Sequence, residues 1–299
     1  MLVAVTGSTG MIGSALVSSL AADGHEVLRL TRSPSPGQGA ARWDPAGSTI
    51  DSDALSKANA VVHLASRNIA ALRWTPKVKR EILDSRTHGT RLLAETMAGL
   101  ADGPRVLVCA SGINYYGDRG DEVVTESSPG GSGFLAEVCR QWEGAADPAR
   151  AAGVRTVHVR TGFVQTPRGG ALARQLPLFR LGLGGRLGSG RQWWSWVTLD
   201  DVIGIYRHAV TTSTASGPLN ATAPNPVTNA EYTATLARVV GRPALVPVPS
   251  FGPRLLFGQL ADELLFSTAR VHPAATESSG YSFQHPTLEA ALRHLLDQP

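Results

Sequence analysis

The chain has 299 residues, enough for one large domain or two modest ones, and 42% of them are hydrophobic and 17% charged. This composition excludes an intrinsically disordered chain and is typical of a globular protein. The formal net charge is +4, but the 28 lysines and arginines are scattered without a dense basic run. We therefore expect no nucleic-acid partner, and an anionic small molecule explains the positive charge as well.

The apolar runs are far shorter than the about 20 residues that a membrane-spanning helix needs. The first residues also lack the pattern of a secretory signal, so we expect no membrane partner and a cytoplasmic location. Two cysteines, Cys109 and Cys139, are too few for a disulfide framework or a zinc site. Cys109 lies in an apolar run and is predicted to be a buried thiol, and no metal site is predicted.

The first fourteen residues combine a strand, a glycine-rich turn and the start of a helix. Leu2 to Thr6 is the strand, glycines follow at positions 7, 10 and 13, and apolar residues at 12, 16 and 20 have helical spacing. A tight turn between strand and helix brings backbone N–H groups close to a pyrophosphate. The spacing is GxxGxxG rather than GxGxxG. The predicted dinucleotide-binding residues here are Gly7, Ser8, Thr9, Gly10, Met11, Ile12 and Gly13.

A second predicted strand, from Glu26 to Thr31, ends at the residues that distinguish the two nicotinamide cofactors. NAD-specific folds commonly place an acidic residue there, which binds the ribose 2′-hydroxyl. Here the chain reads Thr31-Arg32-Ser33, without a carboxylate. Because Arg32 can pair with a 2′-phosphate and Ser33 can donate a hydrogen bond to it, the sequence favours NADP(H). A solvent-exposed loop arginine is the alternative.

Strand and helix signals continue to alternate to about residue 162. Short apolar runs at 60–65 and 106–110 are typical of buried parallel strands. Strands are predicted over 60–65, 105–110 and 154–159. Helices are predicted from Thr75-Pro76 onward and over 134–152. This alternation predicts an α/β fold with a Rossmann-type, doubly wound parallel sheet. At the end of the first apolar run we also expect cofactor contacts from Leu64, Ala65 and Ser66.

After residue 162 the pattern changes. Residues 169–190 are rich in glycine and arginine, and beyond about 226 helices alternate with proline-rich breaks. Between them, a helix over 200–210 and a strand over 217–223 are predicted to return to the sheet. We therefore predict an NADP-binding Rossmann domain of residues 1–165 and about 197–225. A smaller, mostly helical substrate-covering lobe is predicted for residues 166–196 and 226–299.

A serine and two tyrosines follow the strand predicted over 105–110. Ligands bind at the carboxyl ends of strands in open α/β sheets, and side chains such as Ser111, Tyr115 and Tyr116 can polarise a carbonyl or transfer a proton. A loop held in place by aromatic packing is the alternative.

Several segments carry a resemblance to a known family. They are Gly7 to Gly13, Arg73-Trp74-Thr75-Pro76, Asp84-Ser85-Arg86, Tyr115 to Gly120, Gly188 to Gln192, Leu199 to Val202 and Asn220 to Val227. With these motifs the chain resembles, essentially from end to end, the atypical extended-type short-chain dehydrogenases/reductases of the epimerase family, which is nucleoside-diphosphate-sugar epimerase-like. The resemblance implies a Rossmann fold, bound NADP(H) and a small C-terminal lobe.

The chain departs from the wider superfamily at its catalytic residues. That superfamily uses a Tyr-x-x-x-Lys pair, in which the lysine lowers the tyrosine pKa and holds the nicotinamide ribose. If Glu143 marks the register, Leu135 takes the tyrosine position and Cys139 the lysine position. Neither residue performs that proton transfer in the usual way, and no Tyr-x-x-x-Lys occurs elsewhere in the sequence.

A replacement acid or base is therefore expected in the loop that follows the strand. The candidates are Ser111, Tyr115, Tyr116 and Asp118. Ser111 is nearest to the superfamily serine, although counting back from Gly117 places Gly112 there instead. Tyr116 is favoured over Tyr115 because it directly precedes Gly117, as the tyrosine of the related extended enzymes does.

Other chemically capable residues each have a structural and a functional interpretation. Arg86 and Arg191 are candidates for binding an anionic substrate, or are solvated surface arginines. Trp193, Trp194 and Trp196 line a substrate pocket or pack between the lobes. His63, at the end of a buried strand, is predicted to be structural.

These observations favour an NADP(H)-dependent oxidoreductase or epimerase that acts on a small polar substrate, with a nucleotide sugar as one option, in a monomer or homodimer. Both reactions move a hydride between a substrate carbon and the nicotinamide while a protein group manages the proton. Because the Tyr/Lys pair is absent, a non-catalytic NADP(H) sensor is the alternative. A structural interaction protein with a vestigial cofactor site is a third.

Overall fold

The computed structural model describes residues 1–33, 35–70 and 73–297. Its strands are Leu2–Thr6 (β1), Glu26–Thr31 (β2), Ala40–Asp44 (β3), Thr49–Ile50 (β4), Ala60–His63 (β5), Val106–Gly112 (β6), Val123–Val124 (β7), Arg155–Thr161 (β8), Phe163–Gln165 (β9), Trp193–Trp194 (β10), Trp196–Thr198 (β11), Gly217–Ala221 (β12), Val227–Thr228 (β13) and Arg270–Val271 (β14). Its α-helices are Met11–Ala22 (α1), Ser52–Ser56 (α2), Pro76–Gly99 (α3), Phe134–Gly144 (α4), Asp147–Ala151 (α5), Gly170–Arg180 (α6), Leu199–Thr211 (α7), Asn229–Val240 (α8), Phe251–Phe257 (α9), Gln259–Ala261 (α10), Ala274–Ser278 (α11) and Leu288–Leu295 (α12). A 3-10 turn spans Ile113–Tyr116 and a π-helical turn spans Asp262–Phe266.

An eight-stranded sheet with the order β12-β8-β6-β5-β1-β2-β3-β4 forms the centre of the molecule. Its strands pair in parallel except for β4, which is antiparallel to β3. From β1 the chain first builds outward to one side through β2, and then crosses to the other side of β1 with β5. Ligands of doubly wound sheets bind in the crevice at such a reversal. The predicted α/β fold with a doubly wound parallel sheet is confirmed.

Helices cover both faces of this sheet because successive side chains of a strand point in opposite directions. In β1, Val3 and Val5 belong to the core formed with α1 and α7. Ala4, between them, belongs to the opposite core formed with α3 and α5. A strand buried on both faces is apolar throughout, which explains the uninterrupted apolar runs of the sequence.

The C-terminal part of the chain has a core of its own, built mainly from α6, α8 and α12. Trp194 and Trp196 are buried in this core, where the ring of Trp194 lies 4.8 Å from that of Tyr232. Trp193 instead stacks on Arg270 and donates a hydrogen bond to Asp121 at 2.8 Å. The three tryptophans thus have structural partners, in keeping with the packing interpretation. The domain boundaries stay a prediction.

The helix predicted over 134–152 is two helices, α4 and α5. The break falls at Ala145 and Ala146, just before Pro148 in the first turn of α5. Proline has no N–H to donate and its ring clashes with the preceding turn, so it disfavours one continuous helix at this point. The sequence pattern missed the break because apolar residues continue at helical spacing across it.

His63 joins the ends of two central strands. Its Nδ1 lies 2.7 Å from Thr6 Oγ1, which also accepts hydrogen bonds from the N–H groups of Leu64 and Ala65. Because the hydroxyl already accepts twice, it donates its proton to Nδ1, and the imidazole proton resides on Nε2. Burial lowers the pKa of His63 to about 3. The histidine is neutral and structural, as expected.

We expect the stability of the protein to fall as the pH falls below 6.5. Burial lowers the pKa of His63 to about 3 and that of His158 to about 4. Below pH 6.5 the unfolded chain therefore takes up protons at these sites and the folded chain does not. Each histidine then costs about 2 kcal/mol between pH 6.5 and pH 5.

Thermal unfolding at pH 7 and pH 5 tests this expectation. His63→Gln should lose about 2 kcal/mol of the wild-type difference between the two pH values. His88→Gln, at an exposed position, is the matched control and should keep the whole difference. An unchanged pH dependence in His63→Gln would contradict the argument.

Candidate functional site

The glycine turn after β1 packs directly against the loop after β5. Gly7 has φ +66°, and a Cβ there would lie 2.8 Å from the backbone nitrogen of Ala65. A Cβ at Gly13 would lie only 2.1 Å from the carbonyl oxygen of Gly7. Gly10 is less confined, since its Cβ would be 3.3 Å from the same oxygen. Gly7 and Gly13 are therefore required by the packing of the turn itself.

Gly10 leaves the N-terminus of α1 open. It is the N-cap residue, it supplies no capping side chain, and the first turn holds no acidic residue. The first N–H groups of a helix have no partner within the helix, and they carry the positive end of its dipole. Such an end suits a phosphate group, and a side chain at Gly10 would extend into the same space. This cradle fits a dinucleotide pyrophosphate.

Two adjoining cavities meet at this turn, and they share Gly7, Gly10, Leu64, Ser66 and Arg67 as lining residues. The outer cavity, of about 870 Å³, extends to the end of β2 and is also lined by Ser8, Thr9, Thr31, Arg32, Ser33 and Ala65. The inner cavity, of about 530 Å³, extends toward β6 and α4 and is also lined by Met11, Ile12 and Gly13. All thirteen predicted cofactor residues thus border one or both of these adjoining cavities. Their binding role stays a prediction.

The wall of the inner cavity contains the two residues that are predicted to take the positions of the missing dyad. Leu135 and Cys139, one helical turn apart on α4, both line it. Burial raises the pKa of the Cys139 thiol to about 11, so the thiol stays protonated at neutral pH. Neither side chain supplies acid–base chemistry near pH 7.

Ser111 is the catalytic candidate that the structure places in the inner cavity. It lies near the end of β6, and its hydroxyl donates a 2.7 Å hydrogen bond to Glu143 Oε1. Arg160 holds the same carboxylate with two hydrogen bonds of 2.8 Å. Burial opposes ionisation of Glu143, but the hydrogen bonds and charge of Arg160 outweigh it and keep its pKa below the ordinary carboxyl value. Ser111 therefore faces the cavity beside an ionised, buried carboxylate.

Tyr116 does not border either cavity, which corrects the expectation that it is the proton donor. The residue is fully buried, and its hydroxyl donates to Asn220 Oδ1 at 2.8 Å and accepts from Arg160 Nη1 at 3.0 Å. Burial raises its pKa to about 12. A phenol enclosed in this way has no path to a ligand, so its role is to hold Arg160 in place.

Two further candidates in this loop also lie away from the cavities. The ring of Tyr115 covers the Arg160 guanidinium, whose carbon lies 3.5 Å from the ring centre. The carboxylate of Asp118 is exposed and accepts from the N–H of Gly120 at 3.2 Å. The packing alternative therefore describes this loop better than a catalytic one.

Sequence reasoning missed Arg160 and underrated Glu143, which it used only to set the register. The available signal was a charged residue, Arg160, directly after the strand predicted over 154–159. Buried charges in proteins are paired, so an acidic partner on a neighbouring helix was to be expected.

A segment of the C-terminal part, around Glu263 and Leu264, forms part of the wall of the inner cavity. Glu263 accepts hydrogen bonds from the N–H groups of Phe134 at 3.1 Å and Leu135 at 2.7 Å, and so caps α4. Its neighbour Leu264 lines the cavity. Asn114 donates to the carbonyl of Glu263 at 3.3 Å. No local sequence pattern indicates these contacts, because they join residues more than a hundred positions apart.

With this geometry in view, comparisons with known proteins identify the family. The model of the NAD-dependent epimerase/dehydratase family matches residues 3–221. The chain belongs to that family. The resemblance that the motifs indicated is thereby confirmed. A second model, for a domain of unknown function, matches residues 248–295 of this epimerase-family protein.

Individual relatives cover nearly the whole chain. An epimerase family protein of Mycobacterium tuberculosis is 43% identical over 99% of this chain and 98% of its own length. The crystal structure of human epimerase family protein SDR39U1 with NADPH is 36% identical, covers 99% of both chains and has a TM-score of 0.88. A nucleoside-diphosphate sugar epimerase from Corynebacterium glutamicum is 38% identical over 99% of this chain and 58% of that chain, with a TM-score of 0.81.

Substitutions in the glycine turn should separate binding from folding. Gly10→Val should abolish dinucleotide binding and leave the fold largely intact, because its side chain enters the space at the N-terminus of α1. Gly13→Val should unfold or strongly destabilise the protein, since even its Cβ meets the Gly7 carbonyl. Calorimetric titration with NADPH and NADH, together with thermal melts, checks both. Normal dinucleotide binding by Gly10→Val would refute the assignment.

Tyr116→Phe should act on stability. The change removes the hydroxyl that donates to Asn220 Oδ1 and accepts from Arg160 Nη1. Although Arg160 keeps its ion pair with Glu143, we expect the loss to lower the free energy of unfolding by about 1–3 kcal/mol. Dinucleotide affinity should be unchanged. Tyr115→Phe, which keeps its ring over Arg160, is the control and should have little effect in denaturant titrations. Unaltered stability combined with lowered turnover would return Tyr116 to the mechanism.

Proposed function

We propose that this protein binds NADP(H) across both cavities and catalyses hydride transfer at a hydroxyl- or carbonyl-bearing carbon of a small substrate in the inner cavity. The observation that carries the proposal is that the two cavities adjoin at the glycine turn. Together they link Arg32 at the end of β2, the open N-terminus of α1 and Ser111 at the end of β6. The related human protein, whose crystal structure is with NADPH, supports the choice of cofactor.

The outer cavity accounts for the preference for a 2′-phosphate. Arg32 and Ser33 line it together with the glycine turn. Glu81 carries the carboxylate among the described residues that line this cavity, and it forms an ion pair with Arg67. A free carboxylate that would repel a phosphate therefore does not line this cavity in the described part of the chain.

The inner cavity supplies the groups for the substrate. Bound NADP(H) provides the nicotinamide that exchanges a hydride with the substrate carbon. Ser111 directs its own proton at Glu143, so its oxygen is left as a hydrogen-bond acceptor for a substrate hydroxyl. In the oxidation direction, the hydroxyl proton passes to Ser111 while the serine proton passes to Glu143. Oxidoreductases and epimerases share this step, and the proposal covers both.

The walls of the inner cavity favour a smaller and less polar substrate than a nucleotide sugar. Apolar side chains from several elements line it: Ile69, Ile113, Leu135, Val138, Trp142, Phe163, Val164 and Leu264. A sugar would leave several hydroxyl groups without partners against such a wall, at a cost for each one.

A non-catalytic NADP(H) sensor is the second candidate, favoured by Leu135 and Cys139 at the dyad positions. Single-turnover absorbance of reduced nicotinamide with candidate carbonyl compounds distinguishes the two. A protein that binds NADPH tightly and oxidises it with none of them would support the sensor.

Arg32→Glu should weaken NADPH binding by about 30-fold or more, because it removes an ion pair and adds a repulsion. NADH binding should change little. Arg29→Glu is the matched control, since it makes the same charge change at an exposed site away from both cavities. Equal affinity of the wild type for NADH and NADPH would overturn the cofactor assignment.

Ser111→Ala should lower turnover by about 10²–10³-fold, the effect of removing one hydrogen-bonding group at the reacting oxygen. NADPH affinity should stay within about twofold, because Ser111 contacts the substrate side of the cavity. Steady-state kinetics and NADPH titration of the same preparation check both expectations. Full turnover in Ser111→Ala would remove this serine from the reaction.

A further inference from the structure

Arg86 is a buried cation that faces the inner cavity without an acidic partner. It lies on α3, it is 7% exposed, and it lines the cavity opposite the glycine turn. Its Nη1 donates to the carbonyl oxygen of Ile82 at 3.0 Å, and its guanidinium carbon lies 4.9 Å from the ring centre of Trp142. Within residues 1–33, 35–70 and 73–297, no carboxylate forms an ion pair with it.

Among the described residues, the two other arginines around the inner cavity are balanced. Arg160 is held by Glu143 and Arg67 by Glu81. Burial lowers the pKa of Arg86 to about 10, so the guanidinium is still protonated at neutral pH. Burying a charge without a counter-charge is costly. The fold therefore maintains at Arg86 a positive charge that its own packing does not require.

Packing alone does not account for this residue. Among the described residues, its guanidinium contacts a helix carbonyl and the face of Trp142 and lies near the neutral thiol of Cys139. An uncharged side chain of similar length would fill the same space. Buried pairs of charges are often replaceable by apolar residues without loss of stability, and this holds more strongly for an unpaired charge. The free-energy cost of burying the Arg86 charge is explained if a ligand brings the missing negative charge.

The chemistry of the cavity specifies that ligand. One guanidinium neutralises one negative charge and matches a carboxylate with two parallel hydrogen bonds. A phosphate carries about −1.5 to −2 at neutral pH, and no second unpaired cation among the described residues lines the inner cavity, because Arg67 is paired. The remaining wall is largely apolar. A monocarboxylate with an apolar body matches both the single positive charge and the apolar wall.

We infer that Arg86 is the substrate-anchoring residue of the inner cavity and that the substrate is a small monocarboxylate with an apolar body and a hydroxyl or oxo group. This inference rests on the proposed function, since it identifies the class of compound that is presented to Ser111. It assigns Arg86 to recognition and leaves the dinucleotide to the glycine turn and Arg32.

The first test compares carboxylates with their uncharged analogues. Butanoate, 4-methylpentanoate and 3-phenylpropanoate are titrated by calorimetry with and without saturating NADPH, each beside its primary amide. We expect at least one acid to bind at least tenfold more tightly than its amide. Acids that bind no better than their amides would overturn the inference. Inorganic phosphate that binds as tightly as the best acid would overturn the choice of a carboxylate.

The second test uses variants. Arg86→Gln should weaken binding of the best acid at least tenfold and leave the NADPH dissociation constant within about twofold. Arg91→Gln, the same change at an exposed arginine of the same helix outside the cavity, is the control and should bind the acid normally. Loss of NADPH binding in Arg86→Gln would assign the guanidinium to the cofactor and overturn the inference.

A third measurement separates recognition from a structural role. Arg86→Met removes the unpaired charge and keeps an unbranched side chain over Trp142, so its melting temperature should equal or exceed that of the wild type. A lower melting temperature would show that Arg86 supports the fold, against the inference. The wild-type NADPH titration tests the proposed function separately, because the acid titrations without NADPH do not depend on it.

Discussion

The position of the site depends on how closely the turn after β1 approaches the loop after β5. Gly7 permits this contact because a Cβ there would collide with the backbone of Leu64 and Ala65. Gly13 permits the turn itself, because its Cβ would collide with the Gly7 carbonyl. On the strand side, Thr6 accepts from two N–H groups of the β5 loop and donates to His63. These contacts hold the two loops together at the point where the strand order reverses. Residues of both loops line both cavities.

The buried ion pair of Glu143 and Arg160 organises the other side of the inner cavity. Arg160 donates two hydrogen bonds to the carboxylate of Glu143. Ser111, Tyr115 and Tyr116 are arranged around this pair. Removing one partner of such a pair typically costs about 3–5 kcal/mol, because it strands a buried charge. The same pair that orients Ser111 toward the cavity draws the Tyr116 hydroxyl away from it. This is the physical reason why the loop offers a serine and not a phenol to a ligand.

Two arginines that border this region differ in their balance of charge. The guanidinium of Arg160 pairs with a carboxylate and contacts two aromatic rings, so its charge is balanced within the fold. The guanidinium of Arg86 contacts a backbone carbonyl and one aromatic ring, and no carboxylate among the described residues balances its charge. Helix α4 presents Leu135 and Cys139 to the cavity. At the predicted position of Cys139, the wider superfamily that the sequence resembles has a lysine. The inner cavity therefore keeps a positive charge, but from α3 rather than from α4.

The sequence by itself determined the features that depend on local spacing. The glycine turn between strand and helix, the apolar parallel strands and the absence of an acid beside Arg32 could all be predicted, since each depends on residues within a few positions of one another. The break before Pro148 was missed because the apolar periodicity runs across it. Only the tertiary structure decided which polar side chains reach the cavity. Tyr116 is bound to Asn220, 104 positions away, and Glu143 to Arg160, 17 positions away. Whether a charge is paired or a hydroxyl enclosed depends on such distant partners, and no local pattern encodes them.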